Sequence, residues 1–159
     1  MRKNREKIEG GTYFVTSSIV PETSEQLCSE GTQSLFMEVL EEAMIKFDIK
    51  IENFIILKDE FQIVIQTIGK TDISEVMQWI KQSFSIRFNR RFNRFGTVWR
   101  GRFKSVLLKI KEKIKYFIKI INELPIKLNL CLEIADYKFS GQYHIKNRIK
   151  TIINKISEN

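Results

Sequence analysis

The chain has 159 residues, is 43% hydrophobic and 29% charged, and carries a net charge of +8. That length suits about one domain, the mix is that of a globular protein rather than a disordered or fibrous one, and no apolar run approaches the ~18 residues of a membrane span. Cys28 and Cys131 lie too far apart in sequence to read as a disulfide framework or a CxxC metal pair, a single histidine (His144) excludes any site built from several imidazoles, and the charged start MRKNREKIEGG does not read as a secretory signal, so an intracellular chain is expected.

Residues 12–20, TYFVTSSIV, are β-branched and aromatic and predict a first strand. A polar loop follows over 21–31. Thr32 or Ser34 can cap a helix to about Phe47, with Leu35, Val39, Leu40, Ala43 and Phe47 on one stripe. Residues 49–57 predict a second strand and Lys58–Asp59 a short turn. Residues 60–67 alternate, placing Phe61, Ile63 and Ile65 on one face and Glu60, Gln62, Val64 and Gln66 on the other, which predicts a half-buried third strand in a hairpin with the second.

Asp72 or Thr71 can cap a long helix to about Arg91, with Ile73, Val76, Met77, Ile80, Phe84 and Phe88 at helical spacing. Residues 92–103 form a glycine-containing basic loop, and 105–108 a fourth strand. A helix over 110–123 is expected to stop before Pro125, because the residue preceding proline avoids the α region. A short segment (126–134), a loop (136–143) and a C-terminal amphipathic helix (145–157) complete the chain. The order β-α-β-β-α-β is the α+β, ferredoxin-like split βαβ arrangement: an antiparallel sheet with helices packed on it. It is read as one domain over 1–159, with a core at about 10–125 and a C-terminal helical extension at about 126–159.

The charge is unevenly spread. Residues 81–119 hold thirteen Lys/Arg against one acid, Glu112, for +12, while the remainder carries −4. Such a block repels itself and persists most readily where a polyanion relieves the repulsion. Anionic lipid, an acidic protein and nucleic acid all qualify. Arginine is the better phosphate fork, and Phe84, Phe88, Phe92, Phe95, Trp99 and Phe103 interleave with the arginines, which favours nucleic acid.

Residues 81–105, KQSFSIRFNRRFNRFGTVWRGRFKS, resemble the IS200-like transposase family, and more closely its REP-associated tyrosine transposase branch. The G-x-x-W-x-G-R-F-K-S stretch is Gly96, Trp99, Gly101, Arg102, Phe103, Lys104 and Ser105. Weaker likenesses stand in the same order at Gly10–Thr16, Leu124–Lys127 and Tyr137–Gly141, so the resemblance covers nearly the whole chain.

The resemblance implies a histidine–hydrophobic–histidine triplet on the third strand holding a divalent cation. It also implies a helical tyrosine that attacks the DNA backbone, forming a 5′-phosphotyrosine link and freeing a 3′-hydroxyl. Here the triplet position is Glu60-Phe61-Gln62, and both histidines are absent. Glu60 and Gln62 share a strand face and offer oxygens that Mg²⁺ prefers, but they read better as solvent-facing polar residues. Tyr116 is the one tyrosine of the later helix. It reads as a nucleophile only if the register shifts, and otherwise as a partly buried residue beside Phe117 and Ile120.

His144, in a loop next to Tyr143, reads as a surface residue without a role. The residues expected to contact DNA are Arg87, Arg90, Arg91, Arg94, Trp99, Arg100, Arg102 and Lys104; the resemblance implies Arg90, Arg91, Trp99, Arg102 and Lys104 among them, and Trp99 is read equally as stacking on a base and as core. The expected function is binding of single-stranded or hairpin DNA without cleavage, in the cytoplasm at the nucleoid, by a monomer or homodimer. No cofactor is expected, and Mg or Mn would be needed only if cleavage persists. The alternatives are an active metal-dependent tyrosine transposase (Tyr116, Glu60, Gln62) and an RNA-binding or protein-interaction module.

Overall fold

The computed structural model describes residues 4–20 and 30–153. In chain order it contains β1 (Thr12–Ser18), α1 (Glu30–Lys46), β2 (Ile49–Ile56), β3 (Glu60–Thr67), α2 (Ile73–Arg91), β4 (Lys104–Leu107), α3 (Lys111–Lys127), a 3-10 turn (Ile134–Asp136) and α4 (Gly141–Lys146). The loop expected over 21–31 lies, for residues 21–29, outside the described residues. The strands form one antiparallel sheet in the order β2-β3-β1-β4. This is the split βαβ arrangement expected from the element order.

Period two along the strands sorts the side chains into two layers. Tyr13, Val15 and Ser17 of β1 stand opposite Ile65, Ile63 and Phe61 of β3. The apolar members of this set pack under α1 and α2 with Val39, Leu40, Val76, Ile80 and Phe84. The other face carries Phe14 and Val64, and α3 lies on it through Ile114, Phe117, Ile118 and Ile121. Phe117 stacks on Phe14 with centroids 4.5 Å apart. β3 is therefore covered on both sides, and Val64 is fully buried rather than on an open polar face.

Asp72 caps α2 as expected, accepting from Ser74 N at 2.7 Å. Two boundaries differ from expectation. Helix α3 runs through Pro125 to Lys127 instead of stopping before the proline. Proline lacks its own N–H, so the bond lost is the one to the Ile121 carbonyl a turn earlier, and only two residues of helix follow it. Burial of Ile121 and Pro125 offsets the loss, and the Leu128 and Leu130 amides close the end on the Leu124 and Pro125 carbonyls at 2.9 and 2.8 Å.

The helix expected over 145–157 is replaced by α4, which Ser140 caps and which ends where Arg148 takes a φ of 56°. Ile152 and Ile153 then turn back into the main core. Residues 154–159 lie outside the described residues. The stretch expected as loop also pairs with the sheet edge: Ile55 bridges Ser140, and Ile56 N donates to Phe139 O at 2.9 Å.

Asn53 joins α3 to the sheet. It sits where the register of β2 against β3 shifts, and its amide donates to Ile118 O and to Asn122 Oδ1 of α3 at 3.2 and 2.7 Å. A Cβ on Gly141 would run into Asn53 Oδ1 and lie 2.6 Å from Ile153 Cδ1. Gly141→Ala is therefore expected to cost ~1–3 kcal/mol by overpacking. That corresponds to a fall in Tm of about 2–4 °C per kcal/mol, measured by thermal unfolding.

His144 is not a surface residue. It is 4% exposed, its ring meets Phe54 edge-on at 5.1 Å, and its Nδ1 is buried without a hydrogen-bond partner. Burial pushes its pKa below the ordinary 6.5. The unfolded chain then binds more protons than the native one as pH falls below about 6.5. Stability is full above that pH and declines beneath it. Melting curves at pH 7.5 and 5.5 are expected to show a drop that His144→Phe removes.

Candidate nucleic-acid interface

The interface is built where α2 ends and the chain loops back to β4. Trp99 anchors the loop. It is 8% exposed, with its ring 5.5 Å from both Phe61 and Phe84, and its Nε1 donates to Lys81 O at 2.9 Å. Backbone bonds sew the same stretch to the end of β1: Val20 N to Val98 O and Arg100 N to Ser18 O, both 2.8 Å. Gly96 and Gly101 have φ of 92° and 75°, a region costly for residues with a Cβ. The motif's glycines and aromatics are thus scaffold. Trp99 and Phe103 turn inward, while Arg100, Arg102 and Lys104 alternate with them and are exposed.

The eight residues expected to contact DNA divide by what they already hold. Arg90, Arg100, Arg102 and Lys104 are exposed. Arg91 is exposed and donates once, to Gly31 O at 3.1 Å. Arg87 is bound to Glu42, and that hydrogen bond raises the arginine's pKa and lowers the carboxylate's. Arg94 is half-buried and shapes the loop, donating to Asn89 Oδ1 at 2.8 Å and to Thr97 O at 3.4 Å.

Trp99 is core, the second of the two readings its sequence left open: its ring plugs the gap between the sheet and α2. The aromatics of this stretch that stay exposed are Phe95, at 90%, and Phe92, at 36%.

The third-strand pair lies on the sheet face that α3 crosses, so the structure brings Glu60, Gln62 and the helix of Tyr116 to one side of the sheet. Both polar residues are half-buried, and Gln62 Nε2 donates to Glu60 Oε1 at 3.2 Å. Tyr116 is 59% exposed rather than set in the apolar stripe, which Ile114, Phe117, Ile118 and Ile121 fill.

The divalent cation that the resemblance implies does not fit this pair. It has one carboxylate, already an acceptor for Gln62, and one amide oxygen, against the several oxygens a hard cation takes. Among the described residues, no three His, Cys, Asp or Glu side chains gather to supplement it.

Two cations were invisible to sequence reasoning as members of this surface. Arg5 donates to Phe103 O at 2.7 Å and lies 3.6 Å over the Phe103 ring. Lys81 donates to Gly101 O at 2.8 Å. Their only sequence signal is that each adds to a basic run.

The family model "Transposase IS200 like" matches residues 16–123. One similar solved structure is a REP-associated tyrosine transposase bound to a REP hairpin. It is 17% identical, with a TM-score of 0.80 over 93% of this chain and 86% of that one. A candidate transposase from Deinococcus radiodurans R1 is 12% identical, with a TM-score of 0.52 over 76% of this chain and 97% of that one. No curated protein matches. With the family model spanning well over half of its length, this chain belongs to the IS200-like transposase family.

Proposed function

We propose that the chain binds single-stranded or hairpin DNA, in the cytoplasm at the nucleoid, and does not cleave it. The observation that carries the binding half is the exposed cation row Arg90, Arg100, Arg102 and Lys104, held on a scaffold of buried aromatics. Lys and Arg in such a row neutralise phosphates, which supplies salt-dependent affinity with little sequence information. The structural neighbour bound to a REP hairpin supports hairpin DNA as the partner. The cleavage half rests on the Glu60–Gln62 pair, one carboxylate and one amide where the resemblance implies two imidazoles, a weak set for a divalent cation. Binding on this reading needs no metal.

The test is a gel with labelled hairpin DNA and Mg²⁺ or Mn²⁺. A salt-sensitive mobility shift without a denaturation-resistant adduct is expected, unchanged in Tyr116→Phe. A metal-dependent covalent adduct that Tyr116→Phe abolishes would establish the second reading, an active transposase with Tyr116 as nucleophile. The exposure of Tyr116 on a helix over the Glu60–Gln62 face favours that reading. Preferential competition by RNA would point to the RNA-binding alternative. The sheet disfavours it, because this face of β3 presents Glu60, Gln62 and Gln66 rather than the aromatics of an RNA-reading sheet.

A further inference from the structure

Beside the exposed row lies a cavity of about 390 Å³ whose wall includes Arg5, Lys81, Arg102, Gly101, Ser74 and Gln78. Three cations from three separate parts of the chain meet there: the N-terminal segment, the middle of α2 and the loop after Trp99. Among the described residues, no acidic side chain lines it. Asp72, just before α2, is ion-paired to Lys7 at 2.9 Å.

The cations act on one another. Burial and then Arg102 lower the Arg5 pKa, while burial and then Arg5 push Lys81 down to about 8. Like charges held together, partly desolvated and without a counter-charge, destabilise a fold unless an anion joins them.

The donors are also partly free. Lys81 Nζ has three N–H groups and uses one on Gly101 O; Arg5 uses Nη2 on Phe103 O. Arg102 makes no hydrogen bond or ion pair among the described residues and is exposed. Ser74 lies in the first turn of α2, where the helix end favours negative charge. Arg5, Arg102 and Phe103 also line a larger groove of about 710 Å³ along β4, which continues the positive surface through Lys104, Lys109 and Lys113. Its acid, Glu6, is bound to Lys109 at 2.5 Å.

We infer that Arg5, Lys81 and Arg102 seat one phosphate group, either a phosphate of a bound polynucleotide or free phosphate. The seat fastens the N-terminal segment to the loop through the ligand. For its polynucleotide ligand the inference rests on the DNA-binding reading above; the seat itself does not.

The reporter is Trp99, whose ring centroid is 5.3 Å from Lys81 Nζ. In the full chain carrying Trp79→Phe, Trp99 is the sole indole. Titration with inorganic phosphate is expected to change its emission saturably in the millimolar range. Lys81→Gln and Arg5→Gln are each expected to weaken the response by about tenfold, since each removes a charge-assisted bond. Arg102→Gln should weaken it likewise and cannot unseat the loop, because that side chain holds nothing in it. Lys58→Gln, on the exposed turn between β2 and β3 and outside the cavity wall, should leave it unchanged. No saturable response, or equal responses in all variants, overturns the inference.

A second arm compares one oligonucleotide with and without a 5′-phosphate. Tighter binding of the phosphorylated form, lost in Arg102→Gln, assigns the seat to a strand end. Equal binding that Arg102→Gln weakens equally assigns it to an internal phosphodiester. Oligonucleotide binding that is unaffected by all three variants leaves the DNA-binding reading intact; it assigns the seat to free phosphate where the phosphate titration responds and overturns the seat where it does not. A phosphate response with no oligonucleotide binding supports the seat as a free-phosphate site and overturns the DNA-binding reading.

Discussion

Arg100, Arg102 and Lys104 replaced together by glutamine are expected to lower affinity for hairpin DNA on the order of 100-fold at roughly 0.1–0.2 M salt. The slope of log K against log salt should fall by about 2–3, because each phosphate contact contributes ~0.9 to that slope. The three side chains are exposed and alternate with inward aromatics, so the replacement leaves the fold's packing in place. Melting temperature should stay nearly constant while affinity falls.

Arg87→Gln is the contrasting case. Its guanidinium is bound to Glu42, and its loss should change DNA affinity little. Fluorescence anisotropy across a salt series checks both. Equal losses of affinity for Arg87→Gln and Arg102→Gln would mean that total charge, and not the exposed row, governs binding.

The second large effect separates two aromatics four residues apart in the same basic loop. Trp99→Ala is expected to destabilise the chain by ~3–5 kcal/mol, the cost of a large core truncation, a third or more of an ordinary total of ~5–15 kcal/mol at all but the top of that range. The substitution empties the space among Phe36, Phe61 and Phe84 and orphans the Lys81 carbonyl that Trp99 Nε1 serves. Phe95→Ala, at a side chain 90% exposed, is expected to change stability by less than about 0.5 kcal/mol. It should weaken binding to single-stranded DNA by ~1–3 kcal/mol, the worth of one base stacked on an aromatic ring. Denaturant unfolding and single-strand binding, measured on both variants, decide the assignment. Normal stability in Trp99→Ala would overturn the anchor role.

The strands and helices were legible because each carries its own signal. The alternation in β3 and the helical spacing of Ile73, Val76, Met77, Ile80, Phe84 and Phe88 express which face must be buried, and all six α2 residues are buried. The helix end at Pro125 was misread because the local preference of a residue before proline says nothing about the burial of Ile121 and Pro125 that overrides it. His144 was misread for a related reason. Its neighbours in sequence do not show which way its ring turns, and the residue it packs on, Phe54, is ninety positions away.

The same division runs through the interface. The order of elements, the place of the basic block and the motif around Gly96–Ser105 are properties of adjacent residues, and the sequence by itself determined them. Which cations stay free for a phosphate is a property of pairs distant in the chain. Arg87 meets Glu42, Arg94 folds onto its own loop, and Arg5 reaches Phe103 across ninety-eight positions. Charge is written residue by residue, whereas desolvation and counter-charge depend on what the fold brings alongside. Only the tertiary structure could therefore tell a scaffold arginine from one left to bind.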